Sequence, residues 1–189
     1  INLRPIGSAQ DVLRFVPGLV IAQHAGGGKA EQIFLRGFDI DHGTDIALFA
    51  DGMPVNMVSH AHGQGYADLH FVIPELIERV DFQKGPYYAP VGNFGTAGYV
   101  KFQSAAALRD NFVKLEAGQF NTYRTVAGID LLGKSAAARG TSAYVAGETL
   151  FSEGYFDAPQ DFKRVNLFGK FRQSYGDGKV LTVSGSRFS

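Results

Sequence analysis

The second half of the chain alternates apolar and polar residues with a period of two, and this pattern constrains the fold more than any other feature. Residues 113–117, 123–131 and 164–172 show the alternation most clearly. Thr141–Leu150 and Val180–Phe188 show it more weakly. Because successive side chains of a strand point to opposite faces, the pattern predicts five β-strands, each with one apolar and one polar face.

The connections between these strands predict an antiparallel meander. Two of the four connections are tight, and one, over residues 151–163, is long. Alternation alone leaves two environments open for such a sheet. The apolar face could cover the core of a soluble protein, or it could contact lipid while the charged face lines a wet lumen.

The composition excludes several classes of protein. The chain has 189 residues, of which 45% are hydrophobic and 19% charged, so it can form a packed core. Its formal net charge of +0 argues against a nucleic-acid-binding protein that relies on bulk electrostatics. The absence of Cys excludes disulfide scaffolds, cysteine zinc sites and thiol catalysis. No run of 18 apolar residues predicts a transmembrane helix.

The first half of the chain predicts a mixed α/β unit that ends near Ser104–Asp110. It holds all five His and six of the seven Pro. Ser8 can cap a helix over Ala9–Val16, which Pro17 ends. A second short helix is predicted at Pro74–Ile77, because Pro suits a first helical turn. Short apolar runs predict five further strands in one small sheet. These strands are residues 19–23, 32–36, 45–50, 80–83 and 99–103.

The segment Gly128–Ser135, GIDLLGKS, fits the phosphate-loop pattern G-x-x-x-x-G-K-[ST]. A phosphate loop needs a glycine-rich cradle followed by a long helix. Here the spacer residues are mostly apolar and continue a strand, and only Ala136–Arg139 could be helical. We interpret the segment as a strand end and a turn. A soluble nucleotide-binding protein stays open as the alternative from a different functional class.

His60 and His62 form the sequence's clearest candidate for metal binding. In an extended segment, residues two positions apart project to the same side, which suits a transition metal or a metal chelate. The alternative is that these histidines hydrogen-bond loop backbone. Gly63 and Gly65 predict a tight loop, in which Tyr66 supplies an aromatic contact.

The first half contains five motifs in order: DVLRFVPGL at 11–19, IFLRGF at 33–38, ALFADGMPV at 47–55, IPELIERVDFQKGP at 73–86 and NFGTAGYV at 93–100. Together they resemble the plug domain of TonB-dependent outer-membrane receptors. The resemblance covers most of residues 8–104. The last motif has Ala97 where the family often has Gly, and Phe112–Arg124 resembles the family's first barrel hairpin.

The resemblance implies two domains. An α+β plug domain, a small mixed sheet with short helices, is expected over residues 1–105. Antiparallel transmembrane β-barrel strands are expected over residues 106–189, so the apolar faces would contact lipid. Plugged barrels of this kind have about 22 strands, and five strands leave the barrel incomplete. Because too few residues follow residue 105 to close such a barrel, we expect an N-terminal fragment of a longer receptor, without the family's TonB box. The start at Ile1 rather than Met predicts a processed or excised piece.

The resemblance also implies a function. It predicts TonB-dependent active transport of a scarce solute, expected to be an iron–siderophore complex, across the outer membrane of a Gram-negative bacterium, with the plug gating the barrel. Expected partners are TonB with its inner-membrane energising complex, outer-membrane lipid and the transported chelate. No nucleic acid, enzymatic activity or intrinsic cofactor is expected. The alternative within transport is a receptor for another metal or metal complex, bound by the His-rich loop.

Roles for single residues follow from the same resemblance. Residues 38–44 and 56–69 fall in apical loops, which contact ligand in relatives. His60 and His62 are also the candidate metal ligands, while packing against the barrel wall is the alternative role of Tyr87. The candidate ligand-binding residues are Asp39, Asp41, His42, His60, His62, Tyr66 and Tyr87. The charges expected to lock the plug to the barrel are Arg36, Glu78 and Arg79.

Overall fold

The structure is a computed structural model that describes residues 6, 8–23, 27–40 and 43–189. The chain divides into two compact units, Ile1–Ser104 and Ala105–Ser189, each described below by itself. Among the described residues, no helix is long and apolar enough to cross a membrane.

The first unit begins with helix α1, Ala9–Leu13. Ser8 caps it as predicted, because the Ser8 hydroxyl accepts a hydrogen bond from the Asp11 backbone N–H and the Asp11 carboxylate accepts one from the Ser8 N–H. The helix is three residues shorter than predicted. Its end tightens into i→i+3 turns, the last of which joins the Val16 N–H to the Leu13 carbonyl at 2.9 Å.

The strands of the first unit form two sheets rather than the one small sheet expected from the sequence. An antiparallel sheet has the order β1-β2-β3, and a mixed sheet has the order β5-β4-β7-β6. Strand β4 pairs in parallel with β7, a strand from the far end of the unit, which alternation within single segments cannot predict. The strands are β1 Leu19–Ala22, β2 Gln32–Leu35, β3 Phe38–Ile40, β4 Ile46–Ala50, β5 Met53–Pro54, β6 Ile77–Lys84 and β7 Gly98–Ser104.

The first unit has an ordinary apolar core. Side chains of α1 and of both sheets pack together there, and Leu13, Leu48 and Phe102 are almost completely buried. The predicted helix at Pro74 is a single 3₁₀ turn, Pro74–Leu76. A second 3₁₀ turn, Ala89–Val91, was not predicted.

The second unit is the predicted antiparallel meander of five strands, in the order β12-β11-β10-β9-β8. A tight turn joins the first two strands through Phe120 and Asn121, both with positive φ. Helix α2, Lys134–Ala138, lies between the second and third strands. The strands are β8 Phe112–Gly118, β9 Thr122–Asp130, β10 Thr141–Ser152, β11 Phe162–Ser174 and β12 Val180–Phe188.

The meander buries its polar face and exposes its apolar face. Leu115 is 75% exposed and Leu167 57% exposed, whereas Glu148 is 1% exposed. Glu148 lies between two arginines: its Oε1 accepts hydrogen bonds from Arg124 Nε at 2.6 Å and from Arg164 Nη2 at 2.9 Å. This sidedness is the reverse of that in a water-soluble sheet, where the apolar face covers a core.

Candidate functional site

The His-rich segment forms a closed loop between two paired residues. Met57 and Tyr66 form an antiparallel bridge, in which the Met57 N–H donates to the Tyr66 carbonyl at 2.8 Å. A turn inside the loop joins the Gly63 N–H to the His60 carbonyl at 3.1 Å. The segment is therefore bent, and the extended geometry predicted for the two histidines is wrong.

Both predicted histidines nevertheless contact one tyrosine ring. His60 stacks on Tyr66 with a centroid separation of 4.2 Å and an interplanar angle of 11°. His62 meets the same ring at 5.9 Å and 66°, an edge contact. The His62 N–H also donates to His60 Nδ1 at 3.1 Å, which leaves Nε2 as the His60 nitrogen that could bind a metal. We call these three side chains the histidine–tyrosine cluster.

The backbone of an earlier segment holds the Tyr66 ring. The Tyr66 hydroxyl accepts a hydrogen bond from the Ala30 N–H at 3.1 Å, a contact between residues 36 positions apart. This bond fixes the ring on which the two imidazoles rest. The cluster is thus a tethered aromatic surface whose two imidazoles are largely exposed, a geometry suited to stacking on a planar ligand or to binding a metal through nitrogen.

Asn56 joins this loop to the segment before β4. Its Oδ1 accepts a hydrogen bond from the Leu48 N–H at 2.7 Å. Its Nδ2 lies 2.7 Å from the Gly43 carbonyl, 2.8 Å from that of Ile46 and 3.3 Å from that of Gly65. Sequence reasoning missed this residue, because no local pattern shows that one carboxamide will bridge two loops.

The remaining predicted ligand residues lie apart from the cluster or outside the described residues. Asp39 is exposed on β3 and accepts a hydrogen bond from Gln32 Nε2 at 2.6 Å. Tyr87 is 77% exposed, and the described part of the chain shows no ring contact between it and the cluster. Asp41 and His42 are outside the described residues.

A separate cavity of about 270 Å³ lies at the turn that follows β6. Tyr88 and Tyr99 line it in an edge-to-face contact, with centroids 5.5 Å apart. The Tyr88 hydroxyl donates to Gln83 Oε1 at 2.8 Å. Phe94, whose φ is +64°, lines the same cavity. The turn thus adds an aromatic surface in which Tyr88 takes part and Tyr87 does not.

The three charges predicted to lock the plug are all exposed in the structure. Arg36 has a φ of +53° in the two-residue turn between β2 and β3, where Gly37 also has a positive φ. Arg79 pairs with Asp81 on the same strand, with Nη2 2.7 Å from Oδ1. Glu78 is its neighbour on β6. Their role as a lock stays a prediction.

The first unit also contains a buried polar group around His70, whose ring contacts Asp68 and Gln10. His70 is 8% exposed, and its Nδ1 lies 2.5 Å from Asp68 Oδ1 and 3.4 Å from Gln10 Nε2. Burial, followed by the charge of Asp11, raises the pKa of Glu31 to about 7. In the described part of the chain, no group of three or more His, Asp or Glu side chains has a geometry that could hold a metal ion.

The segment that fits the phosphate-loop pattern has a geometry unsuited to phosphate. Its N–H groups at Leu132 and Gly133 both donate to Asp130 Oδ1 at 3.1 Å, so a carboxylate occupies the cradle. Lys134 Nζ binds Asp110 Oδ1 at 2.7 Å, and this hydrogen bond raises the pKa of Lys134. The helix that follows has five residues. The alternative of nucleotide binding here is wrong.

Comparison with known families gives one match that covers half of the chain. The family described as TonB-dependent Receptor Plug Domain matches residues 1–99.

Three solved structures match nearly the whole chain. The pyoverdine outer membrane receptor FpvA from Pseudomonas aeruginosa PAO1, bound to pyoverdine, is 19% identical with a TM-score of 0.69; the match covers 94% of this chain and 24% of that one. The copper transporter OprC is 19% identical with a TM-score of 0.74; the match covers 98% of this chain and 28% of that one. A variant of the ferric enterobactin receptor PfeA from Pseudomonas aeruginosa, in complex with enterobactin, is 17% identical with a TM-score of 0.66, covering 96% and 30%. At these identities the matches show the fold, and the chain spans about a quarter of each relative.

Proposed function

Because this chain belongs to the family of TonB-dependent receptor plug domains, we propose that it is part of a receptor for energy-coupled uptake of a scarce solute across a bacterial outer membrane. In this proposal residues 1–105 are the plug and residues 106–189 are barrel strands. Further strands complete the barrel, because single-chain barrels of this kind need at least about eight.

The reversed sidedness of the meander is the observation that supports this proposal most strongly. A face that exposes Leu115 and Leu167 while burying Glu148 and Arg164 would be unstable in water, because exposed apolar area costs about 25 cal/mol per Å². Lipid removes that cost, and a polar lumen suits the charged face. The site of action is therefore proposed to be the outer membrane of a Gram-negative bacterium.

Transport itself is proposed to depend on movement of the first unit. The plug would close the lumen until TonB, with its inner-membrane energising complex, displaces it. Arg36, Glu78 and Arg79 are proposed to hold it against the barrel through charge pairs that form in the complete receptor. Relatives of this fold are transporters and receptors, and no step of the proposed cycle makes or breaks a covalent bond of the solute.

We propose a ferric chelate as the solute, with the apical loops as its binding surface. The exposed Tyr87 ring and the imidazole stacked on the tethered Tyr66 ring offer flat contacts for an aromatic chelate, and the exposed Asp39 offers a polar one. Asp41 and His42, outside the described residues, stay candidates from the sequence. FpvA bound to pyoverdine and PfeA bound to enterobactin share the fold, which supports this class of solute.

A binding titration on the complete receptor in detergent tests this proposal. The probes are ferric enterobactin, ferric pyoverdine and free Fe³⁺. We expect one ferric chelate to bind and Tyr66→Ala to weaken it at least about tenfold, equivalent to 1.4 kcal/mol. Tyr175→Ala, which removes an exposed ring from the second unit, serves as the matched control. Failure of both chelates to bind, or equal affinity in both variants, would contradict the proposal.

A receptor for a directly bound metal is the second candidate function. One observation favours it: both imidazoles of the cluster contact the Tyr66 ring, and the backbone of Met57 pairs with that of Tyr66 in the bridge. Imidazole and thioether together suit copper. The copper transporter OprC shares the fold.

The double variant His60→Phe/His62→Phe separates the two candidates, because it keeps aromatic contact with Tyr66 and removes the ligand nitrogens. For a metal receptor, we expect Cu⁺, Cu²⁺ or Zn²⁺ to bind the wild type and to lose well over tenfold in affinity in this variant. For a ferric-chelate receptor, the variant should bind the chelate nearly as well as the wild type, and free metal should not bind either protein.

A further inference from the structure

We propose that Asn56 is a positioning residue that fixes the two apical loops against each other and thereby sets the affinity of the ligand site. This inference rests on the proposed function, since it concerns the same binding surface. The two loops are the segment Gly43–Asp45, which precedes β4, and the segment Met57–Tyr66. Asn56 and its partners Gly43 and Gly65 fall within the apical-loop ranges given above, but none of the three is among the single residues expected to bind ligand.

The hydrogen bonds of Asn56 reach both loops and the strand between them. On one side, Nδ2 donates to the Gly43 carbonyl at 2.7 Å and to that of Ile46 at 2.8 Å. On the other side, the Gly65 carbonyl lies 3.3 Å from the same nitrogen. Oδ1 accepts from the Leu48 N–H at 2.7 Å. The side chain is partly buried, so water would compete poorly for these groups.

A carboxamide of this length suits these groups. The amide nitrogen has two hydrogens, which the three carbonyls share, with Gly65 the most distant at 3.3 Å, and the amide oxygen accepts from the strand. An aspartate could still accept from Leu48, but its carboxylate would face the carbonyls of Gly43, Ile46 and Gly65 with no hydrogen to donate. Alanine would leave every one of these groups without its partner.

Packing shows independently that the two loops meet closely at this point. A Cβ added at Gly43 would lie 2.7 Å from the Ala67 Cβ and 2.8 Å from the Gly65 carbonyl oxygen. A Cβ added at Gly65 would lie 2.9 Å from the Phe94 ring and 3.0 Å from the Thr44 Cα. Both glycines also have positive φ, +106° and +73°. The backbones are therefore in contact, with no space for the loops to approach further.

The consequence for the ligand site follows from the chain order. Gly65 precedes Tyr66, whose ring carries both imidazoles, and Met57 follows Asn56 directly. A shift of the loop at Gly65 would move the whole histidine–tyrosine cluster relative to the segment Gly43–Asp45. Because ligand contacts depend on positions held within about 0.5 Å, loss of this bridge would lower affinity without removing any contact residue.

The test compares Asn56→Asp with Asn111→Asp in the complete receptor. Asn111 is an exposed asparagine whose Oδ1 accepts from the Asp130 N–H, a bond that aspartate can keep. We expect Asn56→Asp to weaken binding of the ferric chelate or metal that the wild type binds by at least tenfold. Uptake at saturating solute should stay within about twofold of the wild type, because the plug and its energised movement are intact. Asn111→Asp should change neither quantity.

Hydrogen exchange on the same proteins provides a readout that needs no ligand. Amide exchange in 43–48 and 57–66 should rise together in Asn56→Asp, while exchange in the second unit stays unchanged. Unchanged exchange in both loops, or wild-type affinity, would overturn the inference. If Asn56→Asp fails to fold, Gly43→Ala, which forces the same loops apart, should reproduce the loss of affinity. If the wild type binds none of the probes, the proposed function fails, while joint exchange of the loops still decides the role of Asn56.

Discussion

In both units, side chains alternate between the two faces of the strands, but the two units bury opposite kinds of side chain. In the first unit, Leu48 and Phe102 are buried, whereas Arg36, Glu78 and Arg79 are exposed. In the second unit, Glu148 and Arg164 are buried, while Leu115 and Leu167 are exposed. A period of two therefore predicts a strand but not its surroundings. Whether the buried side chains are apolar or polar indicates whether the exposed face contacts water or lipid.

The largest effect should come from removing the buried carboxylate of the second unit. Glu148→Ala takes away the group that both Arg124 and Arg164 bind, and breaking a buried ion pair costs about 3–5 kcal/mol. Urea unfolding of the complete receptor in detergent measures this loss. Glu153→Ala is the control, because Glu153 accepts one hydrogen bond from Asn121 at the surface. Equal effects of the two changes would contradict the view that the buried ion pairs of Glu148 stabilise the second unit.

The same substitution on the exposed face of each unit should have different effects. Leu167 and Val20 are similarly exposed, 57% and 59%. In lipid, Leu167→Arg should cost about 2–4 kcal/mol if the residue lies near the bilayer midplane. Val20→Arg should change stability by less than about 0.5 kcal/mol, as is usual for surface positions. Unfolding in phospholipid vesicles measures both. A tolerated arginine at Leu167 would show that this face does not contact lipid.

Near neutral pH, the stability of the receptor should depend on Glu31 in the first unit. The pKa of Glu31 is raised from 4.5 to about 7, mainly by burial, so the protonated form is favoured in the folded state. Its contribution to stability is fully present below pH 4.5 and is lost as the pH rises through about 7. Glu31→Gln should remove this dependence and stabilise the receptor at pH 8 by about 1–2 kcal/mol, after allowance for solvent screening.

Thermal unfolding of the wild type and Glu31→Gln across pH 4–8 measures the difference. Asp11 opposes ionisation of Glu31, whereas His70 and Arg14 favour it. A constant difference between the two proteins over this range would show that Glu31 ionises normally.

The smallest effect should come from the cap of α1. Ser8→Ala removes the hydroxyl that accepts from the Asp11 N–H, and loss of such a cap costs about 1 kcal/mol. Ser135→Ala in α2 is the control, because the N-cap of that helix is Gly133, without a side-chain hydrogen bond. A Ser8→Thr variant should retain most of the stability, since threonine also caps helices. Equal melting temperatures for Ser8→Ala and the wild type would argue against the cap.

The sequence was most informative where local chemistry decides the structure. The cap at Ser8, the turn at Pro74 and the five strands of the meander follow from residues a few positions apart, and the structure confirms them. The division of the first unit into two sheets was not predictable, because it depends on the pairing of β4 with β7.

For the candidate site, the sequence identified the chemical groups and missed the geometry that holds them. His60, His62 and Tyr66 were found from their types and spacing. Their stacking, and the bond from Ala30 that tethers the tyrosine, arise from contacts between distant segments. Asn56 was missed for the same reason, since its partners lie before it and after it in the chain.

The parallel pairing of β4 with β7 also makes the two units differ in when their strands can pair during folding. Each strand of the meander pairs with its neighbour in sequence, so hairpins can close as soon as they emerge. Ile46, in contrast, pairs with Gly98, and the central sheet of the first unit must wait for the last strand of that unit. Because contacts between distant segments form slowly, folding of the first unit should be the slower step, although its residues come first. Strand pairing in the second unit should therefore begin while the sheet of the first unit is still incomplete.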